Sequence, residues 1–115
     1  MPNNIEMRNG ADNDDVIVVD RNFTDCIAEG VQFSGATLTR VNFTRCDMYW
    51  ASFFIAKLTD VVFNHCDLRG ADFQQATLAN CRFLNCDVGN DAIGGETQFD
   101  DTDLSSVEFI NCRGR

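Results

Sequence analysis

The sequence predicts an all-β solenoid, a four-sided coil that stacks on itself about five times. The first observation is the spacing of the cysteines: Cys26, Cys46, Cys66 and Cys86 are each 20 residues apart. The second is a run of apolar residues at every fifth position, a period that neither an α-helix nor a β-strand produces. Because a single repeat cannot bury an apolar face alone, a chain with this periodicity folds by stacking its repeats.

The five-residue register continues through most of the chain. Residues 16–95 divide into sixteen consecutive pentads, and the third residue of each is apolar, up to and including Ile93. One extra residue near positions 94–96 shifts the phase, and three more pentads follow, centred on Phe99, Leu104 and Phe109. Nine of the ten phenylalanines are third residues, and all six cysteines are first residues. The first and third residues are therefore expected to point inward, and the other three to face water.

Each pentad forms one side of the coil, so four pentads complete a turn of about 20 residues. Successive coils are expected to stack like parallel strands, about 4.8 Å apart. The fifth residue lies at a corner, where a type II turn needs a positive φ angle that Gly, Asn and Asp tolerate best. These residue types stand at Asp25, Gly30, Gly35, Asp60, Gly70, Asn80, Asn85 and Asn90.

Several pentads share a recognisable motif. The segments ATLTR, CDMYW, AKLTD, CDLRG, ADFQQ, ATLAN and CRFLN resemble the pentapeptide-repeat family, whose motif is A-(D/N)-L-x-x. The resemblance implies a right-handed quadrilateral parallel β-helix over residues 16–115. The stretch GNDAIGGE at 89–96 is typical of a bulge or small loop, which would absorb the extra residue. Asp91 falls on an inward position in that loop and is expected to turn outward or to be hydrogen-bonded. Residues 1–15 are polar and are expected to form a flexible or loosely capping N-terminal tail.

The cysteines and carboxylates predict no catalytic site, metal site or cofactor site. Cysteine at the first position serves as a small buried hydrophobic residue, and no close cysteine pair suggests a metal centre. Asp47, Asp67 and Asp87 recur every 20 residues on an outward position. This column either binds a cation or a basic partner, or is a solvated motif position. His65 lies at a corner, and no nucleophile has a neighbouring base, so the protein is not expected to be an enzyme.

One group of exposed apolar residues breaks the register. Tyr49, Trp50, Phe54 and Ile55 fall on outward positions of adjacent sides in one coil. Large exposed apolar patches mark interaction surfaces, and Trp and Tyr are typical hot-spot residues. The alternative is a locally folded-back cap over a thin part of the core. Gly30 and Gly70 flank Trp50 in its column and leave room for the indole.

The net charge disfavours two classes of partner. A net charge of −9, from 18 acids and 9 bases, disfavours nucleic acids and anionic membranes. No apolar run approaches the ~20 residues of a membrane span. The N-terminus lacks the apolar region of a signal peptide, so a cytoplasmic location is expected. Residues 26–86 contain five acids and five bases, which places the net charge at the two ends.

Two functions fit these features. The first is a non-enzymatic protein–protein interaction or scaffold module, with a protein partner or a homodimer as its complex. The second is implied by the resemblance: some pentapeptide-repeat proteins mimic DNA and bind DNA gyrase, a topoisomerase, and thereby confer quinolone resistance. The neutral middle of the chain is a poor imitation of evenly spaced phosphates, so the interaction module is preferred.

Overall fold

The chain folds as an all-β parallel solenoid, as the sequence predicted. The computed structural model describes residues 5–90, 93 and 95–115. Seven parallel strands of one sheet are found in these residues. They are β1 (Ile17–Thr24), β2 (Thr37–Thr44), β3 (Lys57–Thr59), β4 (Val62–Asn64), β5 (Thr77–Ala79), β6 (Arg82–Leu84) and β7 (Glu108–Ile110).

Each coil has four sides. In the coil of residues 46–65 the first side is 46–50, the second 51–55, the third 56–60 and the fourth 61–65. The seven strands lie on the third and fourth sides, and the first and second sides pair through single bridges. On the second side the bridges join Asp12, Gln32, Ser52, Asp72 and Gln98, and these residues mark levels one to five of the solenoid.

The strands pair in the register set by the 20-residue repeat. Val18 pairs with Leu38, and Phe23 with Phe43, because each side chain must sit above its equivalent in the coil below to keep the core filled. β1 and β2 continue around a corner, and each contains a residue with positive φ, Asp20 and Arg40. The pairing at the fourth side continues through Phe63 to the higher levels.

Phenylalanine rings fill the core in two facing columns. On the second side, Phe53 stacks on Phe33 and Phe73, with ring centroids 5.4 and 4.8 Å away. Phe63 on the fourth side meets Phe53 edge to face at 5.6 Å. These side chains are fully buried, and both ring geometries are favourable for aromatic pairs.

The corners carry the positive φ angles that the sequence predicted. Of the eight predicted corners, seven have positive φ, among them Asp25 at 57° and Asn80 at 55°. Asn90 is the exception, because it leaves the coil and forms an antiparallel bridge with Glu96. His65 also lies at a corner, with φ 56°, and its imidazole contacts Asn64.

The loop after Asn90 is larger than the sequence indicated. Equivalent residues in adjacent coils are separated by 20 positions below the loop, whereas Asp72 pairs with Gln98 and Asp87 with Arg113, 26 positions away. The insertion is thus six residues long, a whole pentad plus one residue. Insertions of one residue and of six residues shift a five-residue register by the same amount, so the sequence pattern could not tell them apart. Ile93, expected in the core, is 81% exposed. Asp91 lies outside the described residues.

The regular coil begins before Val16. Ala11 and Asn13 are buried at first and third positions, and the Asn13 backbone donates to the Gln32 carbonyl of the next level. The Asn13 side chain exchanges hydrogen bonds with the backbone of Glu6, which satisfies a buried polar group. A polar third residue conceals this pentad from an apolar pattern, so residues 11–15 form part of the first coil rather than a tail.

The cysteines are free thiols in the core. Cys46, Cys66, Cys81 and Cys86 are buried, while Cys26 and Cys112 are half-buried. The Cys66 thiol donates to the Phe43 carbonyl one level below, at 3.3 Å, and the Cys46 thiol does the same to Phe23. Thr97 takes the equivalent position after the loop, and its hydroxyl donates to the Leu68 carbonyl. Burial raises the pKa of the Cys81 thiol.

Candidate functional site

The four predicted site residues lie in one coil, at level three, on its first and second sides. Tyr49 and Trp50 end the first side, and Phe54 and Ile55 end the second side; this set is the aromatic patch. Trp50 is 45% exposed, Phe54 37% and Ile55 52%. Trp50 and Ile55 stand at the two corners of the second side, so the patch extends across this side from one corner to the next.

The Trp50 indole lies against the backbone of the next level. A β-carbon at Gly70 would come within 2.8 Å of the indole Cε2 atom, whereas one at Gly30 would meet only the Gly10 nitrogen, at 4.0 Å. The indole therefore leans toward level four, over Gly70. Glycine at position 70 provides both the positive φ of 72° and the flat surface on which the ring rests.

Tyr49 is the least accessible member of the patch. Its side chain is half-buried, and the Arg69 guanidinium lies 5.3 Å from the centre of its ring. Arg69 is itself held by Asp67, at 2.7 Å. Trp50 meets the Tyr49 ring edge to face at 6.1 Å. Tyr49 thus supports Trp50, and the exposed part of the patch consists of Trp50, Phe54 and Ile55.

Ile55 stands at a corner in a backbone conformation that costs energy. Its φ is 53°, and it is the one β-branched residue among the described non-glycine residues with positive φ. Such a residue in this region is an outlier, and the left-handed conformation costs about 1–2 kcal/mol. Because more than half of its side chain is exposed, burial offsets little of this cost.

Arginines of this chain bind two carboxylates of the aspartate column on the first side. Arg69 bridges Asp67 and Asp87, and Arg113 also contacts Asp87, at 2.9 Å. Burial acts to raise the pKa of Asp67, but the hydrogen bonds from Arg69 prevail and hold it below its usual value. At the lower end of this column, a hydrogen bond with Asp47 and the negative charge of Asp47 raise the pKa of Glu29. Among the described residues, no group of three His, Cys, Asp or Glu residues has the geometry of a metal site.

The second side carries most of the net charge. It consists of residues 11–15, 31–35, 51–55, 71–75 and 97–101, which contain six aspartates and no lysine or arginine. These are Asp12, Asp14, Asp15, Asp72, Asp100 and Asp101. Sequence reasoning missed this surface because Asp100 and Asp101 align with Asp14 and Asp15 only when the loop insertion is counted as six residues.

The stacked pentads place the chain in the class of parallel β-solenoids. The sequence pattern of pentapeptide repeats matches in eight copies, over residues 22–53 and 56–90, which is more than half of the chain. The chain therefore belongs to the pentapeptide-repeat family. In the described residues no helix is long and apolar enough to cross a membrane.

Solved structures of pentapeptide-repeat proteins have the same fold. A protein from the thylakoid lumen of Arabidopsis thaliana is 28% identical, with a TM-score of 0.58 over 76% of this chain and 60% of its own. Trypsin-treated QnrB1, a plasmid-mediated fluoroquinolone resistance protein, is 21% identical, with a TM-score of 0.65 over 86% of this chain and 53% of its own. HetL from Nostoc sp. strain PCC 7120, involved in heterocyst differentiation regulation, is 14% identical, with a TM-score of 0.66 over 87% and 47%.

This chain thus spans about half to three fifths of the length of these relatives. Among curated protein sequences, no significant match is found.

Proposed function

We propose that this chain is a non-enzymatic binding module that docks a protein partner on the aromatic patch. The observation that carries the proposal is the exposure of Trp50, Phe54 and Ile55 in one coil of the solenoid. Aromatic residues with this exposure are typical anchors of protein interfaces.

The strain at Ile55 supports a binding role over a structural cap. A corner residue with φ 53° would be more stable as Asn or Gly. An apolar β-branched residue there lowers stability without filling the core. Residues that cost stability in this way cluster at functional sites.

DNA mimicry is the less favoured function. A DNA mimic needs carboxylates spaced regularly along its surface. On the second side the aspartates are interrupted at level three by Phe54 and Ile55, and on the first side arginines neutralise Asp67 and Asp87. A topoisomerase partner would meet an apolar band in the middle of the surface that should imitate phosphates.

The test is affinity capture from the source cell with the wild type and Trp50→Ala. We expect Trp50→Ala to retain the folded circular-dichroism spectrum and to lose the partner. With a purified partner, the loss is expected to be about thirtyfold in Kd, as for a hot-spot residue. A supercoiling assay with DNA gyrase tests the other function, and protection at low micromolar protein would reverse the ranking.

The matched control is Ile110→Ala. Ile110 is 40% exposed and lies on the fourth side, opposite the second. The Ile110→Ala variant is expected to capture the partner as well as the wild type does. Equal capture by all three proteins, together with an unchanged oligomer mass, would remove the aromatic patch from consideration as the binding surface.

A further inference from the structure

The second side carries the largest group of carboxylates without an arginine partner among the described residues. On the other sides, arginines bind carboxylates within or between levels, as in the pairs Arg40–Asp20 at 2.5 Å and Arg82–Glu108 at 3.0 Å. Within the described part of the chain, none of the six second-side aspartates forms an ion pair. Six of the nine net negative charges therefore lie on one surface.

Two adjacent columns of this surface have the same order of acidic, apolar and uncharged residues from level one to level five. One column runs Asp14, Ser34, Phe54, Gln74 and Asp100, and the corner column beside it runs Asp15, Gly35, Ile55, Gln75 and Asp101. Backbone hydrogen bonds connect these levels, from Asp15 to Ser34 and from Gln75 to Asp100. Each column thus has aspartate at levels one and five and an apolar residue at level three.

The spacing defines what the surface can recognise. Two levels correspond to about 10 Å, and the five levels span about 19 Å. An apolar anchor on Phe54 and Ile55 would therefore have carboxylates about 10 Å away in both directions along the solenoid axis. An extended segment covers about 10 Å in three residues, so lysine or arginine residues about three positions from its apolar centre would lie next to the carboxylates.

We propose that the second side binds a protein segment with an apolar centre and lysine or arginine residues toward both of its ends. This inference rests on the proposed function, since it uses Phe54 and Ile55 of the aromatic patch as the anchor site. The carboxylates steer the basic ends and set the register of the segment along the columns.

The same charges argue against other occupants. Nucleic acids and anionic lipids would be repelled by the aspartates. A second copy bound at Phe54 across a twofold axis perpendicular to the solenoid would place Asp14 and Asp15 against Asp100 and Asp101 of the other copy. A twofold axis parallel to the solenoid would place each aspartate against its own equivalent. Like charges in contact cost binding energy.

The test uses random peptides of about twelve residues displayed on yeast, roughly twice the length of an extended segment spanning the five levels. The peptides are selected against the full chain, and the enriched ones are synthesised. We expect enriched peptides to have apolar residues in the centre and Lys or Arg on both sides. Enrichment of acidic peptides, of basic residues on one side only, or of no peptide would overturn the inference.

Two charge-matched variants locate the binding site. Asp14→Asn with Asp100→Asn removes two charges from the second side, and Asp60→Asn with Asp103→Asn removes two from the third. We expect the first pair to weaken binding of the enriched peptides about five- to tenfold at low salt and to flatten its salt dependence. The second pair should leave both unchanged, and equal effects of the two pairs would overturn the inference.

A third variant separates this inference from the proposed function. Phe54→Ser with Ile55→Asn removes the apolar anchor and retains the charges. If it abolishes peptide binding while the Asp14 and Asp100 substitutions have no effect, the binding module stands and the charge recognition fails. If the Phe54 and Ile55 substitutions have no effect on peptide binding, both the binding module and the charge recognition fail. A wild-type dimer in sedimentation equilibrium that this variant dissociates would identify a second copy as the occupant and overturn the inference.

Discussion

At the residue scale, a side chain's position in the pentad decides what it contributes. Third residues such as Phe63 are fully buried, and this ring contacts Phe43 and Phe83 in its own column and Phe53 and Phe73 across the core. Because the interior is narrow and closely packed, neighbouring rings cannot collapse into a vacated space. Fourth and fifth residues face water and are open to functional use.

Phe63→Ala is therefore expected to lower the free energy of unfolding by about 3–5 kcal/mol, through lost burial and the cavity left behind. Urea denaturation measured by circular dichroism gives this value. Phe54→Ala is the control, since Phe54 is the one phenylalanine outside the core columns, and it should cost below about 1 kcal/mol. An unfolding midpoint unchanged by Phe63→Ala would refute the register.

Ile55→Asn tests whether the patch is a functional surface or a structural cap. Asparagine tolerates positive φ, so the substitution should raise the free energy of unfolding by about 1 kcal/mol while reducing partner binding. Ile55→Val keeps the branched side chain and should keep the strain. If Ile55→Asn is instead less stable than the wild type, Ile55 packs on the core as a cap, and the strain argument for binding is lost.

At the element scale, the columns that run along the solenoid hold the coils in register. Arg40 binds Asp20 and Arg45 binds Asp25 at successive corners, each 20 residues apart. These hydrogen bonds lower the pKa of both aspartates. A carboxyl group with a lowered folded-state pKa stabilises the fold above its unfolded pKa, near 4, and that stabilisation is lost as the pH falls through the folded value.

Replacing Arg40 and Arg45 by Gln should therefore reduce the pH dependence of stability on the acid side. We expect the urea midpoint of the variant to lie below that of the wild type at pH 7 and low salt, and the difference to shrink at pH about 2 to 3. Arg21→Gln is the control, because Arg21 lies over the Phe23 ring, at 5.1 Å. If the difference in urea midpoint between the variant and the wild type persists at low pH, the guanidinium groups stabilise the fold by packing rather than by charge.

At the scale of the whole molecule, the distribution of charge changes once the coils are aligned. Counting along the chain places the acids at the two ends, and this count remains true. In the structure both ends contribute to the same side, with Asp14 and Asp15 at one end of the second side and Asp100 and Asp101 at the other. Along the solenoid axis, the second side is therefore acidic at its two ends and apolar in the middle, at Phe54 and Ile55.

The sequence by itself determined the solenoid, most of the inward residues, most of the corners and the exposure of Trp50, Phe54 and Ile55. It did so because a five-residue period fixes which side chains face the core, whatever the rest of the chain does. Only the tertiary structure decided the size of the loop before Thr97, the inclusion of residues 11–15 in the first coil and the charge of the second side. These features depend on which residues align across coils, and alignment is set by the stacking of the core rather than by local pattern.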